Sequence, residues 1–222
     1  EMQLLGFYRE QKLQSFISLF GVHATCLGNS LKAYDGDNKG YAAAFSEQAL
    51  IEQGVDNPVT IFAQATAGDV SPHFHGKDQL KIRNQIKGEQ EYQYAQQNGR
   101  YQSELALTSL QGNIAKNLQK VEGKIDAVLS YVDLSNIEIP DAFADGQKNA
   151  KTSQPCHGTA FFAGTPVDGL GAPKPLILGM QFLAYQFRKQ KIKHPKAADF
   201  LDYQQLYASQ GPKRILLEAG TK

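Results

Sequence analysis

A serine, three histidines, a cysteine and an aspartate are the side chains in this sequence whose types and spacing could do chemistry. Ser71 lies in the stretch 64–78, QATAGDVSPHFHGKD, with Asp69 before it and His73 and His75 after it. A serine between glycine and proline is by default a turn residue, its hydroxyl bonding nearby backbone; the alternative is an exposed nucleophile. His73 and His75 form an H-x-H pair. In extended backbone residues two apart face the same side, so both imidazoles could reach one zinc ion, against the plainer reading of a solvated loop. His23 follows an apolar run, and Cys26 comes three residues later. A histidine in that position is by default a hydrogen-bonded structural residue, with metal ligation as the alternative. Cys26 reads as a small buried thiol before it reads as a second ligand. Asp69 could orient Ser71 or cap the turn, and capping is the default. No H-E-x-x-H helix, G-x-S-x-G elbow, phosphate loop or dinucleotide fingerprint is present, the last although glycines gather at 164–171. Those absences remove several enzyme classes and leave zinc hydrolases with scattered ligands.

The elements that must position these residues follow from periodicity. Residues 14–22 (QSFISLFGV) and 59–65 (VTIFAQA) are short, apolar and aromatic or β-branched, and read as buried strands. Between them, 39–53 is alanine-rich and reads as a helix, with Asp37-Asn38 as its N-cap and Gly54 as its stop. Strand, helix, strand predicts a βαβ unit, and with it an α/β fold: a largely parallel or mixed sheet with flanking helices. His23 and Ser71 each fall just past a strand's carboxyl end, where reactive groups gather in open α/β sheets. Further on, 78–90 reads as an exposed loop and 92–121 as a helix carrying Leu105, Leu107, Leu110, Ile114 and Leu118. Residues 124–139 read as strand, and 141–155 as loop. Residues 157–171 read as an aromatic strand running into a glycine-rich turn. Residues 176–191 and 197–209 read as helices, and 215–217 as the start of a last strand.

Composition narrows the partners. At 222 residues the chain suits one domain, or most of one. A net charge of +1 demands no basic surface and argues against a nucleic-acid partner; the short basic run 188–193 reads as a solvated helix face. No apolar run has bilayer-spanning length, and no signal-peptide pattern is present. Both ends read as cut, so compartment is not told by what is missing. Two cysteines, Cys26 and Cys156, are equally consistent with one bridge and with two thiols.

Four motifs in order carry a family resemblance. Val22-His23-Ala24-Thr25-Cys26-Leu27 followed by Asp37-Asn38-Lys39-Gly40-Tyr41-Ala42 resembles the V-H-x-T-S-M … D-N-K-G-Y-A signature of neutral (non-lysosomal) ceramidases. Gly68-Asp69-Val70-Ser71-Pro72 resembles their G-D-V-S-P segment. Phe162-Ala163-Gly164-Thr165 with Asp168-Gly169 and Gly171 resembles A-A-G-T-x-D-G-x-G, and Pro212-Lys213-Arg214-Ile215-Leu216-Leu217 resembles K-P-K-P-I-L-L. Cys26, Gly36 and His73 depart from the family's serine, serine and asparagine, and a cysteine-bearing insert is absent, which suggests a bacterial type of member.

The resemblance implies a zinc-dependent amidohydrolase that cleaves the N-acyl bond of ceramide, or of a related N-acyl lipid, to a fatty acid and a sphingoid base. It implies Zn2+ as cofactor, His23 as a metal ligand and Ser71 as the catalytic serine, acting as nucleophile or beside an activated water. It implies a lipid substrate held in an apolar pocket, peripheral contact with a membrane, and export from the cytoplasm. On the same resemblance, the chain is a single partial catalytic domain over 1–222, with one of four zinc ligands. A histidine before Glu1 and a glutamate and tyrosine after Lys222 would supply the others, and the C-terminal immunoglobulin-like domain is not included. Two other readings compete: a non-catalytic lipid-binding relative, and a self-contained metal site of His23, His73 and His75.

Overall fold

The computed structural model describes residues 1–28, 30–68, 70–73, 78–112, 118–164, 171–193 and 203–219. Of these, residues 1–123 form one unit and residues 124–164 and 171–219 a second, each with its own core.

The first unit is built on a three-stranded mixed sheet whose strands neighbour one another in chain order. Strands β1 (Met2–Arg9) and β2 (Lys12–Phe20) form an antiparallel hairpin. Its two connecting residues, Glu10 and Gln11, both have positive φ (51° and 65°), the type I′ geometry that matches strand twist. Neither is glycine or asparagine, so the hairpin carries no turn signal. Helix α1 (Asp37–Glu52) crosses over to β3 (Thr60–Gln64), which pairs parallel to β2 in the register Phe16↔Thr60 to Phe20↔Gln64. The expected βαβ unit is therefore present, in an α/β fold with a mixed sheet. Leu13, Phe16, Ala42, Leu50, Val55, Phe62, Ala106 and Leu110 form the core, with Phe16 and Phe62 edge to face at 5.5 Å.

Helix α3 (Glu89–Gln111) lies against α1. It begins before residue 92 and ends well short of 121, because Gly112 leaves the helical conformation. Its buried stripe is small and polar rather than leucine-rich: Ala95, Asn98, Gly99, Gln102, Ser103, Ala106 and Leu110 are buried, whereas Leu105 is 51 % exposed. The cause is close helix approach, since Ser103 meets Ser46 of α1 in a 2.8 Å hydroxyl hydrogen bond. Residues 78–90 are not a loop throughout. Helix α2 (Gln79–Gln85) forms there, and its Arg83 makes a buried ion pair with Glu91 at 3.6 Å. Asp37-Asn38 is not the N-cap of α1 either. Gly36 holds that position, and Asp37 turns its carboxylate onto the preceding loop.

In the second unit, residues 124–139 were expected as strand but form none. Ile125, Val128 and Leu129 are exposed there, residues 135–136 turn, and an isolated bridge pairs Glu138 with Lys151. Alternation alone does not make a strand where no neighbour completes the ladder. A single 3-10 turn, Asp141–Phe143, follows. Strand β4 (Cys156–Gly158) is only three residues long; Phe161 and Phe162 lie in the short helix α4 (Thr159–Ala163). Helices α5 (Lys174–Lys193) and α6 (Tyr203–Ser209) precede β5 (Ile215–Glu218), which pairs antiparallel with β4 over a core of Cys156, Tyr203, Leu206, Tyr207 and Ile215. Residues 165–170 and 197–202, parts of the expected turn and helix, lie outside the described residues. Cys26 and Cys156 are both buried free thiols. Among the described residues no helix is long and apolar enough to cross a membrane.

Candidate functional site

Parallel pairing of β2 and β3 sends both strands out of the sheet at the same edge, and the two candidate residues follow from that. After Phe20 the chain passes Gly21, whose α-carbon lies so close to the β3 exit that an added Cβ would sit 2.3 Å from the Thr66 carbonyl oxygen. Only glycine allows that approach. His23 then hydrogen-bonds the segment leaving β3 twice. Its backbone N–H donates to the Val70 carbonyl at 3.1 Å, and its ring Nδ1 to the same oxygen at 3.0 Å. A carbonyl can only accept, so Nδ1 carries the proton, and in the neutral ring Nε2 is the lone-pair nitrogen. Ser71 is the next residue after Val70.

The Ser71 turn is itself organised. Val70 N–H donates to Ala67 O at 2.7 Å, and the Ser71 Oγ accepts the His73 N–H at 3.3 Å. Ser71 is half-buried and His23 is exposed. His73 is buried and stacks on Tyr94 (centroids 5.3 Å, planes 13° apart), while Tyr94 Oη donates to the Pro72 carbonyl at 3.1 Å. His73 thus packs the underside of the turn. Asp69 and His75 lie outside the described residues.

A polar platform beneath the His23 loop was not anticipated. Asp37, buried in the first turn of α1 with φ of 49°, accepts the N–H groups of Cys26 (3.3 Å) and Leu27 (2.9 Å). Glu91 accepts the Gly28 N–H and, at 3.2 Å, the Gly88 N–H. Asn38, fully buried, donates through Nδ2 to the His23 carbonyl at 2.9 Å and toward Cys26 Sγ at 3.6 Å. Burial, followed by the Asp37 carboxylate, pushes the Cys26 thiol far up, so it stays protonated and serves as packing beside Tyr94 and Ala95. Lys39 donates to the Phe20 carbonyl at 2.7 Å, and its burial lowers its pKa to about 8.

Chemically, the edge offers an imidazole with Nε2 as donor and, one residue beyond its backbone anchor, a serine hydroxyl. A ring N–H fixed on a backbone carbonyl is the outer support that metal-bound histidines ordinarily have. The donor chemistry fits one corner of a zinc site. Among the described residues no group of three histidine, cysteine, aspartate or glutamate side chains could hold a metal alone.

The model of the family described as neutral/alkaline non-lysosomal ceramidase, N-terminal, matches residues 1–222. The chain is 28% identical over 166 residues to the neutral ceramidase of Mycobacterium tuberculosis, and covers 25% of that protein from 73% of its own length. It is 30% identical over 173 residues to the neutral ceramidase of Pseudomonas aeruginosa, covering 24% of it from 77% of its own length. It therefore spans about a quarter of the length of these relatives. Over its whole length it is similar to a solved structure described as a ceramidase complexed with C2, with a TM-score of 0.65, 25% identity and 31% of that chain covered. The family model matches the full chain: the chain belongs to the neutral/alkaline non-lysosomal ceramidase family, within its N-terminal region.

Proposed function

We propose that this chain is part of the catalytic domain of a zinc-dependent amidohydrolase that cleaves the N-acyl bond of ceramide or a related N-acyl lipid. Water adds across the amide, giving a fatty acid and a sphingoid base. The observation that carries the reading is the double hydrogen bond from His23 to Val70, which brings a candidate metal ligand and the Ser71 turn to one sheet edge. His23 would be one ligand of the metal through Nε2. When bound, zinc supplies Lewis-acid polarisation of the amide carbonyl.

The chain's own residues do the rest. The Val70 carbonyl keeps the His23 proton on Nδ1 and the ring in one orientation. Ser71 would act at the acyl carbon in one of two ways: as nucleophile, its proton passing to the departing amine as the C–N bond breaks and water then hydrolysing the acyl ester, or beside a water that adds directly; in both the His73 N–H donates to its oxygen. Asp37, Asn38 and Glu91 hold the loop from His23 to Gly28 against recoil. Lipid substrate, peripheral membrane contact and an exported location belong to the same proposal.

The test uses the full-length protein and a short-chain N-acyl sphingosine. Ser71→Ala is expected to keep zinc and lose hydrolysis by at least about 10^3-fold. His23→Ala is expected to lose both. A Ser71→Ala variant that still turns over at the wild-type rate removes the serine from the reaction.

A further inference from the structure

We infer that Asn38 is a positioning residue for metal binding. Its side-chain amide fixes the His23 peptide, and Gln102 of α3 fixes that amide. The inference rests on the reading of His23 as a zinc ligand and goes beyond it.

The geometry singles out Asn38. It is fully buried at the start of α1, so its amide cannot be satisfied by water. Nδ2 donates to the His23 carbonyl (2.9 Å) and toward the Cys26 sulfur (3.6 Å), which spends both amide protons on the loop that carries the ligand. Oδ1 accepts from Gln102 Nε2 at 3.2 Å, and Gln102, itself buried, is tied back to the Asn98 carbonyl at 3.5 Å. Only one orientation of the Asn38 amide satisfies all three partners. The reversed amide would set its oxygen against the His23 carbonyl and its NH2 against the Gln102 NH2. The chain thus runs from α3 through Gln102 and Asn38 to the His23 backbone, while the Val70 carbonyl holds the ring itself. One contact fixes the main chain and one the imidazole. A ligand held at both points loses less freedom on binding a metal.

The neighbouring supports act elsewhere. Asp37 holds the backbone N–H groups of Cys26 and Leu27, and Glu91 that of Gly28, three to five residues beyond His23. Asn38 is the side chain that reaches His23 itself, donating to its carbonyl.

The test is a zinc-release titration of the full-length protein against a chelator of graded concentration, with far-UV circular dichroism and thermal melting as folding controls. Asn38→Asp keeps size and shape and replaces the donating NH2 by an oxygen. Gln102→Met keeps volume and removes the bond that orients the amide, together with the long 3.5 Å bond from Gln102 to the Asn98 carbonyl. Asn38→Asp is expected to release zinc at roughly 10-fold or more lower chelator concentration, and Gln102→Met at a smaller but measurable reduction. Excess zinc should restore kcat in Gln102→Met with KM unchanged, which a general loss of packing would not do. If Asn38→Asp fails to fold, Gln102→Met decides alone. Folded variants that retain zinc like the wild type overturn the inference, provided His23→Ala loses it. A wild type without zinc, or a His23→Ala variant that keeps it, overturns the reading of His23 and this inference with it.

Discussion

Replacing Gly99 by alanine tests the packing on which the polar platform depends. Gly99 lies in the middle of α3, where it faces α1 without a side chain. An added Cβ would sit 2.6 Å from Tyr41 Cβ, 2.8 Å from Ala42 N and 2.9 Å from Asn38 O. None of these atoms can swing aside by a rotamer change, so the helices must part by roughly 0.8 Å to reach ordinary contact. Overpacking of this kind costs about 1–3 kcal/mol, whereas the alanine returns about 1 kcal/mol of helix propensity. The net loss lies within about 0–2 kcal/mol, and three contacts under 3.0 Å to atoms that cannot rotate away place it toward the upper end, read as a lower urea midpoint at unchanged slope. Gly40 is the control. It is exposed on α1, an added Cβ there meets nothing within 4 Å, and Gly40→Ala should stabilise by about 0.5–1 kcal/mol. Because Asn38 O is one of the three crowded atoms, Gly99→Ala should also loosen zinc retention in the full-length protein. A Gly99→Ala protein as stable as the wild type would refute the close approach of α1 and α3.

Two further outcomes follow from buried charge. Glu91→Ala leaves Arg83 buried without its ion pair and strips the acceptor from the Gly28 and Gly88 N–H groups; a loss of about 3–5 kcal/mol is expected in urea unfolding, with Glu91→Gln costing less. Lys39 titrates at about 8 in the folded protein against 10.5 for the ordinary side chain, so between those values the unfolded chain holds a proton that the folded chain has released. Stability should therefore gain from this group as pH rises from 8 toward 10, and Lys39→Met should remove that gain relative to the wild type in denaturation run across the range.

The βαβ unit was legible because its signals are local. The aromatic run of β2, the alanines of α1 and the β-branched run of β3 each announce their element within a few residues. Parallel neighbours then put His23 and the Ser71 turn at one edge, as the strand order shows. Strand β1 was not legible, because the hairpin that creates it turns on Glu10 and Gln11 at positive φ without a glycine. The opposite failure occurred at 124–139, where alternation was present and no pairing partner was. The role of Asn38 was hidden for a third reason. Its amide serves partners 15 and 64 residues away, so the sequence showed a helix-start residue and not a support for His23.

On the proposed reading, His23 holds metal through Nε2, the nitrogen left open by Val70. The most direct test is the zinc content of the full-length protein and of its His23→Ala variant, purified in parallel and measured by atomic absorption, with folding checked by circular dichroism. Stoichiometric zinc is expected in the wild type, and its loss, together with loss of hydrolysis, in a folded His23→Ala variant. A folded variant that retains both zinc and activity would contradict that reading.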